Sequence, residues 1–216
     1  MAGAVEPRLE LKIPGRPDRV DGIVLLLHGG KATSRARVRR TSLAAARMRP
    51  FAAAIARHDG PDAIGAGLLR YRYQGWNGSS TDPVHDALWA LDEIERIYAP
   101  APVVLVGHSM GGRTALRAAG HPAVTAVAAL APWVPEGEPV AQLAGRAVLI
   151  AHADDDRVTD PAGSLDYAVR AKPIAARLEH RSFPEGGHAM LRGAAAWHRM
   201  VAQFVAEQVS ASAPVR

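Results

Sequence analysis

The stretch Val103 to Arg113, reading VVLVGHSMGGR, constrains the chain more than any other. Four apolar residues, three of them β-branched, run into Gly107-His108-Ser109-Met110-Gly111, and the helix-forming run Thr114 to Ala119 follows at once. The spacing predicts a strand, a sharp turn and a helix, with Ser109 at the apex. A strand that reverses into a helix within three residues forces its apex residue into strained backbone geometry. Glycines at the flanking positions let the neighbouring chains pass without a Cβ clash. Such a turn lifts the Ser109 hydroxyl off the carboxyl edge of a sheet and aims the first N–H groups of the new helix beside it. The pentapeptide G-x-S-x-G alone can arise by chance in a chain with 20 glycines; the strand before it and the helix after it supply the context the motif requires.

At 216 residues the chain is long enough for one well-buried core, and a single domain over 1–216 is the expectation. There is no cysteine, which excludes disulfides, thiolate metal sites and a cysteine nucleophile. The first residues, MAGAVEPR, show no basic region followed by an apolar core, and no apolar run approaches the ~18 residues of a membrane span. The expectation is a soluble cytoplasmic protein. The net charge of +5 rests on arginine, since of 26 basic residues only Lys12, Lys31 and Lys172 are lysines. Abundant Ala and Arg with few Lys fits a GC-rich bacterial genome. A nucleic-acid partner would need the charge gathered into a stripe with aromatics interleaved. Apart from Arg35, Arg37, Arg39 and Arg40, it is scattered, and the expectation is no nucleic-acid or membrane partner.

Along the chain, Arg8 to Ile13 alternates as a half-exposed edge strand, whereas Gly22 to Leu27 is continuously apolar, as in a strand buried on both faces. Ser42 to His58 carries a helical pattern that Pro50 splits or restarts. Gly65 to Tyr71 is a weaker strand, Gln74 to Ser80 a loop, and Thr81 or Asp82 caps a helix whose apolar face is Val84, Leu88, Leu91, Ile94 and Tyr98. Strands follow at 124–130, 147–151 and 178–183, and helices at 161–171 and 197–209. Strands alternating with helices predict an α/β fold: a mostly parallel central sheet with helices on both faces, its ligands at the carboxyl ends of the strands.

Those strand ends carry the chemistry. His28-Gly29-Gly30 follows the second strand, and two glycines leave backbone N–H groups uncovered as donors for a developing oxyanion. His152 and the aspartates Asp154, Asp155 and Asp156 follow the 147–151 strand, and Gly186-Gly187-His188 follows the last. A serine hydroxyl is a poor nucleophile at neutral pH; it needs an imidazole to take its proton and a carboxylate to hold that imidazole. The sequence supplies all three on separate strand ends, in the order Ser, Asp, His. A metal site at His152 and the aspartates is the competing reading, but solvation accounts for the acids the fold does not use, and neither metal nor cofactor is expected. His28 and His108 are expected to be structural, their ring nitrogens bonded to nearby loops. Trp76, Trp133 and Met190 are candidates for the pocket wall, with core packing as the alternative for each.

Along nearly its whole length the chain resembles an α/β-hydrolase. The matching pieces are His28-Gly29-Gly30, Gly107 to Gly112, His152 to Val158, and Gly187-His188. The resemblance implies Ser109 as nucleophile, His188 as base and Asp156 as acid, Asp154 being the runner-up because Ala153 stands where the family usually has glycine. It implies the backbone N–H groups of Met110 and Gly30 as oxyanion donors, with Lys31 as the alternative second donor. Many family members insert a cap domain between the strand after the nucleophile helix and the strand before the acid. Here that interval is 131–146, sixteen residues with three prolines, which leaves room only for a short lip at Pro132 to Pro135. The chain thus resembles the compact dienelactone-hydrolase and small-esterase branch, with a small-molecule ester, lactone or thioester as substrate. Acyl-carrier thioester hydrolysis, acyl transfer, perhydrolysis and ligand binding without catalysis share these motifs.

Overall fold

In the computed structural model, residues 6–13, 20–58 and 63–212 are described. Seven strands form one sheet: β1 (Arg8–Lys12), β2 (Gly22–Leu27), β3 (Ile64–Arg70), β4 (Val103–His108), β5 (Val124–Leu130), β6 (Ala147–Ala153) and β7 (Arg177–Phe183). Their spatial order is β1-β3-β2-β4-β5-β6-β7, with β1 antiparallel to β3 and every other pairing parallel. The helices are α1 (Leu43–Ala46), α2 (Arg49–Ile55), α3 (Asp82–Tyr98), α4 (Met110–Ala118), α5 (Pro161–Ala171) and α6 (Ala194–Ser212).

The continuously apolar strands are central because both their faces are covered. Ile23, Leu25 and Leu27 of β2 enter one hydrophobic cluster with α3, α4 and α5, while Val24 and Leu26 enter a second with α2 and α6. The same alternation runs through β4 and β6, as the two-residue period of a strand requires. The alternating Arg8 to Lys12 segment sits at the sheet edge, every second residue exposed.

The helical pattern at 42–58 is two helices. Ser42 caps α1, its hydroxyl accepting from Ala45 N, and Pro50 stands in the first turn of α2, where its missing N–H costs nothing. Capping of α3 differs from expectation. Thr81 occupies the cap position but in the left-handed region, φ 41°, and its side chain makes no capping bond. Asp82 instead faces back into the loop, accepting from Asn77 Nδ2 at 2.7 Å. Asn77 Oδ1 in turn accepts from Ser34 N at 2.8 Å, so the loops after β2 and β3 brace each other. Between β5 and β6 there is one turn of 3-10 helix, Ala141–Leu143, and no separate cap domain. No described helix is long and apolar enough to cross a membrane.

Candidate active site

The chain turns from β4 into α4 in the single residue Ser109, whose backbone is held at φ 58°, ψ −120°. A positive φ in a non-glycine residue costs on the order of 1–3 kcal/mol and persists only where the surroundings enforce it. Here Ser109 N donates to Leu130 O at 2.9 Å, and its carbonyl accepts from Arg113 N at 3.1 Å and Trp133 N at 3.2 Å. The glycines are steric necessities: a Cβ at 107 would run into the Gly111 carbonyl, and one at 111 into the Leu27 carbonyl.

His188, on the loop after β7, reaches this apex. Its Nε2 lies 2.9 Å from Ser109 Oγ, and its Nδ1 lies 2.8 Å from Asp156 Oδ2. The loop is pinned from three sides. Gly187 N donates to Asp155 Oδ1 at 2.7 Å, His108 Nε2 donates to the His188 carbonyl at 2.8 Å, and Arg47 Nη1 donates to the Ala189 carbonyl.

Asp156 accepts from five donors among the described residues. Oδ1 accepts from Val158 N at 2.8 Å and Thr159 N at 3.2 Å, while Oδ2 accepts from His188, from Thr159 Oγ1 at 2.9 Å and from His152 Nε2 at 3.1 Å. Burial works to raise its pKa, but the Val158 N–H, the hydrogen bond and charge of His188 and the Thr159 N–H outweigh it, and the carboxyl is brought down to about 2. Of the neighbouring aspartates, Asp154 accepts from Ser182 Oγ and Asp155 from Gly187 N, so neither faces His188. His152, the potential metal ligand of the sequence reading, is buried with Nδ1 at 2.7 Å from Ser164 Oγ and Nε2 on Asp156.

Two further histidines sit behind the site as neutral rings. His28 Nδ1 donates to the Gly29 carbonyl at 2.7 Å, and burial pushes its pKa down to about 4. His108 is pushed down to about 3, by burial first and the charge of His188 next, with Arg47 adding to the effect.

The loop after β2 brings Gly30 against the elbow. A Cβ on it would strike the Met110 side chain and the Gln74 carbonyl, so the close approach demands glycine. Lys31 N is already spent, donating to Gln74 O at 2.8 Å, whereas Gly30 N meets no acceptor among the described residues. Met110 opens α4, and its amide is one of those a helix leaves unpaired.

A cavity of about 340 Å³ opens at this point, with Gly29, Gly30, Lys31, Arg47, Ser109 and His188 in its wall. A second hollow, about 740 Å³, lies between the lip and α5, and Trp133 lines it. Trp76 and Met190, expected as candidates for the pocket wall, line neither cavity and are buried in the core. Trp76 is covered by the Arg113 guanidinium, 3.8 Å from its ring, and Met190 packs into the cluster under α6. The same guanidinium lies 4.6 Å from the Trp133 ring and pairs with buried Glu138 at 2.6 Å. It thereby ties the lip to α4.

Two side chains that touch the site carry no motif. Thr159 is three residues past Asp156, a spacing at which a hydroxyl can turn back on a carboxylate; its Oγ1 also lies 3.1 Å from His188 Nδ1 and 3.2 Å from the Ala131 carbonyl. Arg47 meets the His188 loop across a separation of 142 residues, which no local pattern announces.

A sequence profile described as the alpha/beta hydrolase family matches residues 24–214. The chain belongs to that family. No curated protein matches it in sequence. Among solved structures, the hydrolase is similar to Est1E from Butyrivibrio proteoclasticus with bound ferulic acid: 12% identity, 94% of this chain and 96% of that chain covered, TM-score 0.68. It is similar to an esterase from Pyrococcus furiosus at 15% identity, over 88% of this chain and 83% of that one, TM-score 0.69. It is also similar to an α/β serine hydrolase without lid from Xanthomonas campestris at 16% identity, over 97% and 91%, TM-score 0.68. At such identities the likeness speaks to fold.

Proposed function

We propose that this hydrolase cleaves a carboxylic ester, lactone or thioester through an acyl-enzyme formed on Ser109. The observation that carries the reading is the continuous chain Ser109 Oγ, His188, Asp156, with links of 2.9 Å and 2.8 Å. Nε2 of His188 accepts the hydroxyl proton as Oγ attacks the acyl carbon, and Asp156, acceptor-only at neutral pH, keeps the other ring proton on Nδ1 and stabilises the imidazolium. The Gly30 and Met110 N–H groups receive the oxyanion; an amide with no protein acceptor needs no reorganisation to do so. His188 then returns the proton to the departing alcohol or thiol. The same base activates the water that releases the acid.

The absence of a cap leaves the site open and supports large or solvent-facing leaving groups, and Trp133 offers an aromatic wall on the lip side. The esterase among the similar structures, and the one that holds ferulic acid, are consistent with ester chemistry. Short 4-nitrophenyl esters should be hydrolysed, a fluorophosphonate should label Ser109, and Ser109→Ala should abolish both. Unchanged turnover in that variant would refute the assignment.

A further inference from the structure

The cavity at Ser109 and the hollow between the lip and α5 differ in charge. In the wall of the 340 Å³ cavity stand Lys31 and Arg47, and no carboxylate lines it. The wall of the 740 Å³ hollow carries Glu136, Asp160 and Asp166 against the single cation Arg170.

Arg47 is half-buried, and its side chain has one hydrogen-bond partner among the described residues, the neutral Ala189 carbonyl. The guanidinium has five N–H donors, so most of them, and the whole charge, are left for something else. A half-buried cation with no counter-ion among the described residues keeps its charge and its free donors available to an anion in the cavity it lines. The field is reinforced from behind. Across Val38, which borders both spaces, a hollow of about 430 Å³ is lined by the five arginines Arg8, Arg37, Arg40, Arg70 and Arg72, against the single carboxylate Glu6. Of these, only Arg72 is ion-paired to an acid among the described residues, with Asp86 and Asp82. Arg8 and Arg70 stand directly opposite each other in the β1–β3 register, a like-charge pairing that sheets ordinarily avoid. Clustered charge predominantly of one sign beside a cleft concentrates ligands of the opposite sign.

The geometry points to an anionic substrate: the part of the ester that occupies the 340 Å³ cavity carries a carboxylate or phosphate, held by Arg47 with Lys31. This rests on the acyl-enzyme reading for the reaction, but not for binding. Ser109→Ala protein, which cannot turn the ligand over, is therefore titrated calorimetrically with monoethyl adipate and with diethyl adipate, which differ by one charge. The monoester should bind roughly tenfold tighter or better, the size of one charge-assisted hydrogen bond. That preference should shrink at high salt, fall to less than about twofold when Arg47→Gln and Lys31→Gln are added, and persist with Arg47→Lys, which keeps the charge. Equal or undetectable binding of both esters, or a preference that survives in the doubly neutralised protein, overturns the proposal. Turnover of neutral 4-nitrophenyl esters by the wild type reports separately on the hydrolase reading. Loss of that turnover with the binding preference intact would sink the chemistry and spare the anion site.

Discussion

At the scale of single residues, the least expected participant is Thr159. Its hydroxyl has one proton and four polar neighbours: Asp156 Oδ2 at 2.9 Å, His188 Nδ1 at 3.1 Å, His152 Nε2 at 3.2 Å and the Ala131 carbonyl at 3.2 Å. It thus sits at the junction of the acid and base proposed for catalysis and can act only through them. Replacing it by valine keeps the shape and removes the hydroxyl. One acceptor site of a buried carboxylate then goes unserved, at a cost of about 1–3 kcal/mol. We expect Thr159→Val to lower kcat/KM on a neutral ester by roughly tenfold or more, mainly in kcat, and Thr159→Ser to restore most of it. A structural role alone would lower thermal stability in both variants and leave kcat per folded molecule unchanged. Parallel stability and active-site titration measurements separate the two.

At the scale of elements, what was legible in the sequence was what short-range sterics and periodicity determine. The elbow could be read because Gly107 and Gly111 are required by backbones that would otherwise collide, and that requirement lies within five residues of chain. The two-face burial of β2 and β4 could be read from continuous apolar runs. Trp76 and Met190 were ambiguous because an aromatic or thioether side chain looks the same in a pocket wall and in a core. In the structure an arginine covers the Trp76 ring, and Met190 packs under α6. Nor does local sequence show that the lip is fastened. Glu138 is buried, with Arg113 on it at 2.6 Å, Arg117 at 3.6 Å, and its carbonyl accepting from Arg170 of α5 at 2.9 Å. Removing one partner of such a pair leaves a poorly solvated charge behind, at a cost of about 3–5 kcal/mol. Glu138→Leu should therefore lower the urea midpoint markedly and raise KM by freeing Trp133, whereas Arg117→Leu, at the longer distance and more exposed, should cost far less. Equal small effects from both would mean that the lip is held by packing alone.

At the scale of the whole molecule, the buried histidines tie stability to pH. His28 titrates at about 4 and His108 at about 3, burial being the main cause in each case, and burial lowers His152 as well. In the unfolded chain these rings titrate near 6.5. Between that value and their folded values, the unfolded state binds protons that the native state refuses, so stability rises with pH and is lost on acidification. The loss from His28 and His108 begins as pH falls through about 6.5 and levels off only once the native rings protonate, near 4 and 3 respectively. Asp156 extends the slope: its carboxyl titrates near 3.9 when unfolded but at about 2 when folded, so its stabilising contribution is present above the first value and disappears as pH falls through the second. All of these groups act in the same direction. Well inside the window each fully coupled histidine contributes about 1.4 kcal/mol per pH unit. The urea midpoint should therefore be nearly constant from pH 8 to 7 and fall steeply from 6 to 4.5. His28→Gln should reduce that slope by about one proton's worth while lowering stability at pH 8, because the ring's packing on Tyr71 at 4.5 Å between centroids is lost. A midpoint that stays flat from pH 6.5 to 5 in the wild type would mean that these rings exchange protons without opening the fold, and the link between their burial and acid lability would fail.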